Sequence, residues 1–303
     1  MGKALTFRDS IVIINRTTNK KGMDMMKSII MLALAIGLGA TQAEAKGQVE
    51  EKEVKVGSFD KISTLGSIDV VYSQGKTHSV VIVGERSDIE KVRVDVRGGK
   101  LMIEPQTEKK NVGGMTVKTS KLKGDVKVKV TSNDLREVMI TGSGDFEAAT
   151  NVVTSNITLT VSGSGEMEFK KIEANAAKVS IAGSGDVKVK QMDAKSLNAS
   201  IAGSGEVEID KVTTKCDAAK LSIAGSGEMK ARFDGCKALE CKIAGSGDIE
   251  LEGKVVDYTS SISGSGRIDK EKLTITGKTS ESNSRKKANQ GRRRTASGID
   301  ANP

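Results

Sequence analysis

The sequence contains no tryptophan, two tyrosines and five phenylalanines in 303 residues. Enzymes that act on polysaccharides stack sugar rings on aromatic side chains, and few are available here. One histidine, His78, leaves no histidine-based triad and no imidazole acid–base pair. Cysteine is scarce too: Cys216, Cys236 and Cys241 lie far from His78 in the chain and have no zinc-ligand spacing. Long hydrophobic runs are missing, since the apolar stretch Ile29 to Ala40 spans 12 residues, too few to cross a bilayer as a helix. These gaps argue against catalysis, against a bound cofactor and against a transmembrane span in the exported chain.

What the chain has is glycine in register. Gly-Ser-Gly occurs seven times, with first glycines Gly142, Gly163, Gly183, Gly203, Gly225, Gly245 and Gly264 and third residues Gly144, Gly165, Gly185, Gly205, Gly227, Gly247 and Gly266. The intervals are 21, 20, 20, 22, 20 and 19 residues. A fixed period near 20 marks a repeat architecture. Side chains keep the same register. Ile140, Val161, Ile181, Ile201, Ile223, Ile243 and Ile262 stand two residues before each triplet. Val138, Leu159, Val179, Ala199, Leu221, Cys241 and Ser260 stand four before. Phe146, Met167, Val187, Val207, Met229, Ile249 and Ile268 stand four after. Apolar residues at offsets of two are the period of a half-buried strand.

Each repeat therefore reads as a strand, a glycine corner, a second strand and a variable return segment. Helix is excluded locally, because two glycines per repeat would each cost about 1 kcal/mol there. The expected fold is all-β: a right-handed parallel β-solenoid, or β-helix, with about 20 residues per coil. An antiparallel β-sandwich is the alternative, since evenly spaced strands suit it too. Hairpins, however, have no need for matching side chains in every repeat.

Four parts are expected along the chain. Residues 1–45 hold an N-terminal extension and a signal peptide: Lys27, the apolar stretch, then Ala43-Glu44-Ala45 with cleavage between Ala45 and Lys46. Met23, Met25 or Met26 are alternative translation starts. Residues 46–130 share the strand grammar without the triplet, as in Ile68, Val70 and Tyr72 or Val92, Val94 and Val96, and read as degenerate early coils or an N-terminal cap. Residues 131–277 are the seven-repeat solenoid, closed near Leu273 to Thr276 with Lys270 and Lys272 guarding the edge. Residues 278–303 are a basic tail of disordered composition. The ends carry most of the net charge of +9: residues 1–45 hold six basic and three acidic groups, and 278–303 seven and two. That leaves 46–277 near +1, with no field to attract nucleic acid specifically.

Cys216 and Cys236 are 20 residues apart, one coil, and an oxidising compartment would allow them to bond across adjacent coils. Cys241 occupies an inward position and reads as core filler.

The residue after each triplet is acidic in six repeats, Asp145, Glu166, Asp186, Glu206, Glu228 and Asp248, before Arg267 breaks the series. Stacked one coil apart, such carboxylates repel by about 1 kcal/mol in water. Two arrangements offset this. One is a calcium ion held between coils. The other is backbone N–H donors at the corner, with Lys188, Lys190 and Lys230 neutralising the column.

Gly57-Ser58-Phe59-Asp60-Lys61-Ile62, Gly66-Ser67-Ile68-Asp69-Val70-Val71, and Leu135 leading to Ile140-Thr141-Gly142-Ser143-Gly144-Asp145 together resemble the putative auto-transporter adhesin, head GIN domain family. The resemblance covers roughly residues 54–270. It implies an exported bacterial β-helical domain and supplies no catalytic residues. Together the readings give a non-enzymatic exported scaffold, resident in the periplasm, on the outer-membrane surface or secreted. Its expected partner is an envelope, glycan or protein ligand, with homo-oligomerisation open. A polysaccharide-active β-helix enzyme and a self-associating periplasmic element are the rival functions.

Overall fold

The glycine corners stack in a single column. The computed structural model describes residues 49–283 apart from Gly114 and Lys121. The signal segment, the cleavage site at Ala45 and Lys46, and the tail beyond Asn283 lie outside the described residues.

The first part comprises β1 (Val49–Val54), β2 (Lys61–Gly66), β3 (Ile68–Gln74), β4 (Ser79–Glu85), one helical turn α1 (Arg86–Ile89), β5 (Val92–Arg97), β6 (Lys100–Pro105), β7 (Thr107–Val112), β8 (Met115–Ser120) and β9 (Val126–Ser132). The repeats supply β10 (Glu137–Gly142), β11 (Phe146–Ala148), β12 (Val152–Val153), β13 (Asn156–Gly163), β14 (Glu166–Gly183), β15 (Asp186–Gly203), β16 (Glu206–Val212), β17 (Ala218–Gly225), β18 (Glu228–Gly245), β19 (Asp248–Gly264), β20 (Arg267–Ile275) and β21 (Thr279–Asn283).

From β10 onward every pairing between coils is parallel and nearly in register. Leu159 faces Val179, Val179 faces Ala199, and Gly163 faces Gly183, which faces Gly203. The result is a β-solenoid of about seven turns, spaced about 20 residues apart. The parallel registers exclude the β-sandwich.

The sequence left the return segment unassigned. In the structure it is strand as well, so that β14, β15 and β18 run for 18 residues from one corner to the next. Two further inward columns follow. Ile157, Ala177, Leu197, Ala219, Leu239 and Tyr258 form one. Ile172, Met192, Val212 and Phe233 form the other. All of these are buried. Large and small residues alternate between layers: Ala148 lies between Tyr72 and Phe169, and the Phe146 ring stacks on both, at 6.1 and 5.5 Å.

Residues 49–132 contain both a coil and a cap, in an order the sequence did not reveal. β2 and β3 form a true first coil, with Gly66 directly beneath Gly142. β6 and β9 lie parallel on its other side. Between them the corner is replaced by the antiparallel β7–β8 hairpin. β4 then runs antiparallel to β9, β1 antiparallel to β4, and β5 antiparallel to β6. A layer of reversed polarity thus closes the N-terminal end of the parallel stack.

Asp88 on α1 fastens this cap. Its side chain is buried and accepts hydrogen bonds from the backbone N–H groups of Lys123 and Gly124 at 3.1 and 2.8 Å and from Lys91 Nζ at 3.0 Å. At the other end the ordered stack extends past the boundary expected at residue 277. β20 and β21 together form the last described coil, both paired to β19. Leu273 to Thr276 is therefore one arm of a coil rather than the closing element.

Candidate interaction surface

The outward side chains stand in columns just as the inward ones do, and each column has its own chemistry. After the corners come Asp69, Asp145, Glu166, Asp186, Glu206, Glu228 and Asp248. Side-chain length divides their roles. The short aspartates reach the next coil's backbone: Asp69 accepts from Asp145 N–H at 3.1 Å, Asp145 from Glu166 N–H at 2.9 Å, and Asp186 from Glu206 N–H at 3.0 Å. The longer glutamates reach lysines one coil on, Glu166 to Lys188 at 2.5 Å and Glu206 to Lys230 at 2.8 Å, while Lys230 also meets Glu228 at 3.3 Å. Those ion pairs hold both lysines above their ordinary pKa. Asp69 also lies above its ordinary pKa, for a different reason. Burial raises its pKa, and the neighbouring carboxylate of Asp145 adds to the rise against the hydrogen bond from Asp145 N–H.

Backbone donors and lysines thus offset the repulsion within the column. Among the described residues, no group of three or more acidic, histidine or cysteine side chains has the arrangement to hold a metal ion. In that column the carboxylates of Asp69, Asp145 and Asp186 are directed to N–H groups and those of Glu166, Glu206 and Glu228 to ammonium groups.

The return face carries a second network that the sequence did not single out. Asp193 is 5% exposed and accepts from Lys171 at 2.9 Å and from Gln191 Nε2 at 3.1 Å. Burial would raise its pKa, but these donors outweigh burial and lower it. An acid next to an amide two residues before it was the only sequence signal. Cys216 and Cys236 form a disulfide across adjacent coils with Cα atoms 4.6 Å apart, beside the irregular stretch between β16 and β17 where the repeat lengthens to 22. Cys241 is a free, buried thiol whose pKa burial pushes up to about 12, a group without nucleophilic character near neutral pH.

The strand face before the corners differs from the rest. Its outward columns are small: Ser180, Ser200 and Ser222 in one, Ala182, Ala202, Ala224 and Ala244 in the other. Together they line a shallow, mainly apolar groove of about 590 Å³. A second depression, about 380 Å³, lies beside the first coil and gathers Asp60, His78, Asn133, Asp134 and Arg136. Arg136 bridges Asp134 at 2.8 Å and Asp60 at 3.4 Å, and His78 Nε2 meets the Phe59 carbonyl at 3.2 Å.

The glycine positions expected at the corners are all found there. Each first glycine of the seven triplets has φ between +123° and +140°. The carbonyl oxygen of the glycine below lies where a Cβ would project, and it accepts the N–H of the intervening serine above, as in Ser204 N to Gly183 O at 2.8 Å.

Comparison with known proteins agrees with this architecture. The fold is similar to that of a putative adhesin from Parabacteroides merdae in its crystal structure, with a TM-score of 0.64 and 21% identity over 78% of this chain and 97% of that one. A putative lipid binding protein from Parabacteroides distasonis gives a TM-score of 0.59 and 26% identity over 78% of this chain and 97% of that one. A putative adhesin from Bacteroides fragilis gives 0.53 and 19%, over 79% and 98%. No curated protein matches the sequence. The family described as putative auto-transporter adhesin, head GIN domain, matches residues 58–231 and 211–289, which together span the first coil, the cap apart from β1, and every repeat. With corners, columns and family match in agreement over most of its length, the chain belongs to the head GIN domain family.

Proposed function

We propose that the protein is a non-enzymatic exported scaffold that presents the regular outer faces of its solenoid to a cell-envelope or extracellular partner. One observation carries this reading. The chemistry-bearing side chains of the repeats form columns that recur from coil to coil and pair with one another, and in the depression beside the first coil Arg136 is held by Asp60 and Asp134. A repeated surface suits binding to an extended partner, since each coil offers the same groups again. Family membership supports an adhesin-like role. The disulfide supports an oxidising compartment, and so export to the periplasm, to the outer-membrane surface or to the medium.

The test is a screen of the purified protein against glycans and matrix proteins, scoring retained ligand and released product separately. Saturable retention without product is expected. Product release from a glycan would overturn the reading in favour of a polysaccharide-active enzyme. Protease shaving of intact cells would then place the domain inside or outside the outer membrane.

The groove along Ala182, Ala202, Ala224 and Ala244 supports a second reading, lipid binding, because its lining is mainly apolar and shallow enough for an acyl chain to lie along it. The similar structure from P. distasonis carries that description. Co-sedimentation with phosphatidylcholine vesicles, abolished by Ala202→Glu, is the expected outcome of this reading, and failure to sediment removes it.

A further inference from the structure

The two ends of the stack differ. The N-terminal end is covered by antiparallel β4 and β5. At the C-terminal end, among the described residues, β20 pairs with β19 alone and its other edge is open. Ile268, Leu273 and Ile275 of β20 are packed on the core but only partly buried. Between them runs the charged sequence Asp269-Lys270-Glu271-Lys272. Both lysines bond back into their own chain. Lys270 pairs with Glu281 and lies 5.3 Å from the Tyr258 ring centre, and Lys272 pairs with Glu252 at 2.6 Å. Asp269 and Glu271 enter no ion pair among the described residues.

This edge is its own complement. We propose that β20 is a homodimerisation edge, to which a second copy of this chain adds its β20 antiparallel about a two-fold axis between Lys270 and Glu271. The axis then sets Ile268 against Leu273 of the second copy, Asp269 against Lys272, and Lys270 against Glu271, and each pair occurs twice. Sliding by one residue in either direction destroys the match. One slip opposes Lys270 to Lys272 and Glu271 to itself; the other opposes Asp269 to Glu271 and Lys270 to itself. One register is thereby selected. The axis also crosses β20 where its register with β19 shifts, between the partners of Glu250 and Glu252, so the two arms of each strand exchange places. The lysines that resist parallel addition of an unrelated strand serve here as partners for a second copy. Nothing in this requires any particular ligand on the solenoid faces.

Sedimentation velocity of the full chain over a range of concentrations tests the proposal. The wild type is expected to show a monomer–dimer equilibrium. Asp269→Lys with Glu271→Lys makes the edge wholly positive, and Lys270→Glu with Lys272→Glu makes it wholly negative. Each double variant alone is expected to dimerise at least about tenfold more weakly, because attractive cross-strand pairs become repulsive. An equimolar mixture is expected to recover a dimer holding one chain of each kind. Carbodiimide treatment of the wild type provides a check that needs no variant: a link joining two copies of the 267–273 segment can form only between chains. A wild type that stays monomeric at every concentration overturns the proposal. So does a dimer that ignores both substitutions, a mixture that stays monomeric while both variants are folded by circular dichroism, or a cross-linked dimer joined elsewhere.

Discussion

Replacing Gly203 by alanine tests the stacked-corner geometry most directly. Gly203 has φ +140°, a conformation that side chains rarely adopt, at a cost of about 1–3 kcal/mol. A Cβ there would also fall within 3.0 Å of the carbonyl carbon of Gly183 and closer still to its oxygen. That oxygen cannot turn away, because it accepts the Ser204 N–H at 2.8 Å. Relief requires the two coils to part locally, a form of overpacking worth about 1–3 kcal/mol more. The sum is about 2–6 kcal/mol. Since about 1 kcal/mol moves Tm by about 2–4 °C in a domain of this size, Tm should fall by at least about 4 °C.

Gly66→Ala separates the two costs. Its φ of +88° is also disfavoured, but its Cβ would meet the Pro105 side chain at 3.2 Å rather than a coil's backbone. It should lose about half as much stability. Gly57→Ala, with nothing within 4 Å, should lose almost none. Urea denaturation followed by circular dichroism gives the three values. The reasoning fails if Gly203→Ala costs no more than Gly57→Ala, or if Gly66→Ala proves the most damaging of the three.

Other contacts give four more expected outcomes. Cys216→Ser with Cys236→Ser should cost about 3 kcal/mol by opening a loop of 20 residues, and reductant should reproduce the loss in the wild type, as read by urea midpoints. Asp88→Asn should destabilise the chain by about 2–3 kcal/mol near neutral pH through its charge-assisted bonds to Lys91, Lys123 and Gly124. Burial raises the pKa of Asp88, but those bonds outweigh it and the net shift is downward. The stability it contributes is therefore fully present above the unfolded value of about 3.9 and is lost as pH falls through the lower folded value, so wild type and variant should converge in acid. Chelation by EDTA should leave Tm unchanged, because Lys188 and Lys230 already neutralise the acidic column, whereas Lys230→Met should lower Tm by leaving Glu206 and Glu228 facing each other.

Corners and columns were legible in the sequence because each rests on one residue type at one offset. Gly163, Gly183 and Gly203 report a backbone that no other residue fits, and Val161, Ile181 and Ile201 report burial two residues away. The return column of Ile172, Met192, Val212 and Phe233 was not legible, because the period of two breaks just before it, as at Lys170-Lys171 between Phe169 and Ile172. β21 was invisible for a different reason. Thr279-Ser280-Glu281-Ser282-Asn283 contains no apolar residue, so only pairing with β19 makes it a strand.

The cap shows the deeper limit. Val80 and Ile82 alternate with half-buried neighbours in β4 much as Val126, Val128 and Val130 alternate with lysines in β9, yet β4 runs antiparallel to β9 while β9 runs parallel to β3. Alternation fixes which side chains point inward, and it is blind to strand direction. In the repeats, direction is recovered because equivalent residues must meet across coils, so identity between repeats stands in for pairing information. The cap has no repeat to compare with. Its polarity is set by chain reversal at the Gly75-Lys76-Thr77-His78 link between β3 and β4 and at the Gly98-Gly99 turn between β5 and β6, both short links that leave no length for a parallel crossover. Reversal is also what makes the end a cap. An antiparallel layer does not present the geometry that the next parallel coil would need, so growth stops at β4 and β5. At β20 the chain keeps its parallel polarity to the last described coil, and the edge must be controlled by its charges instead.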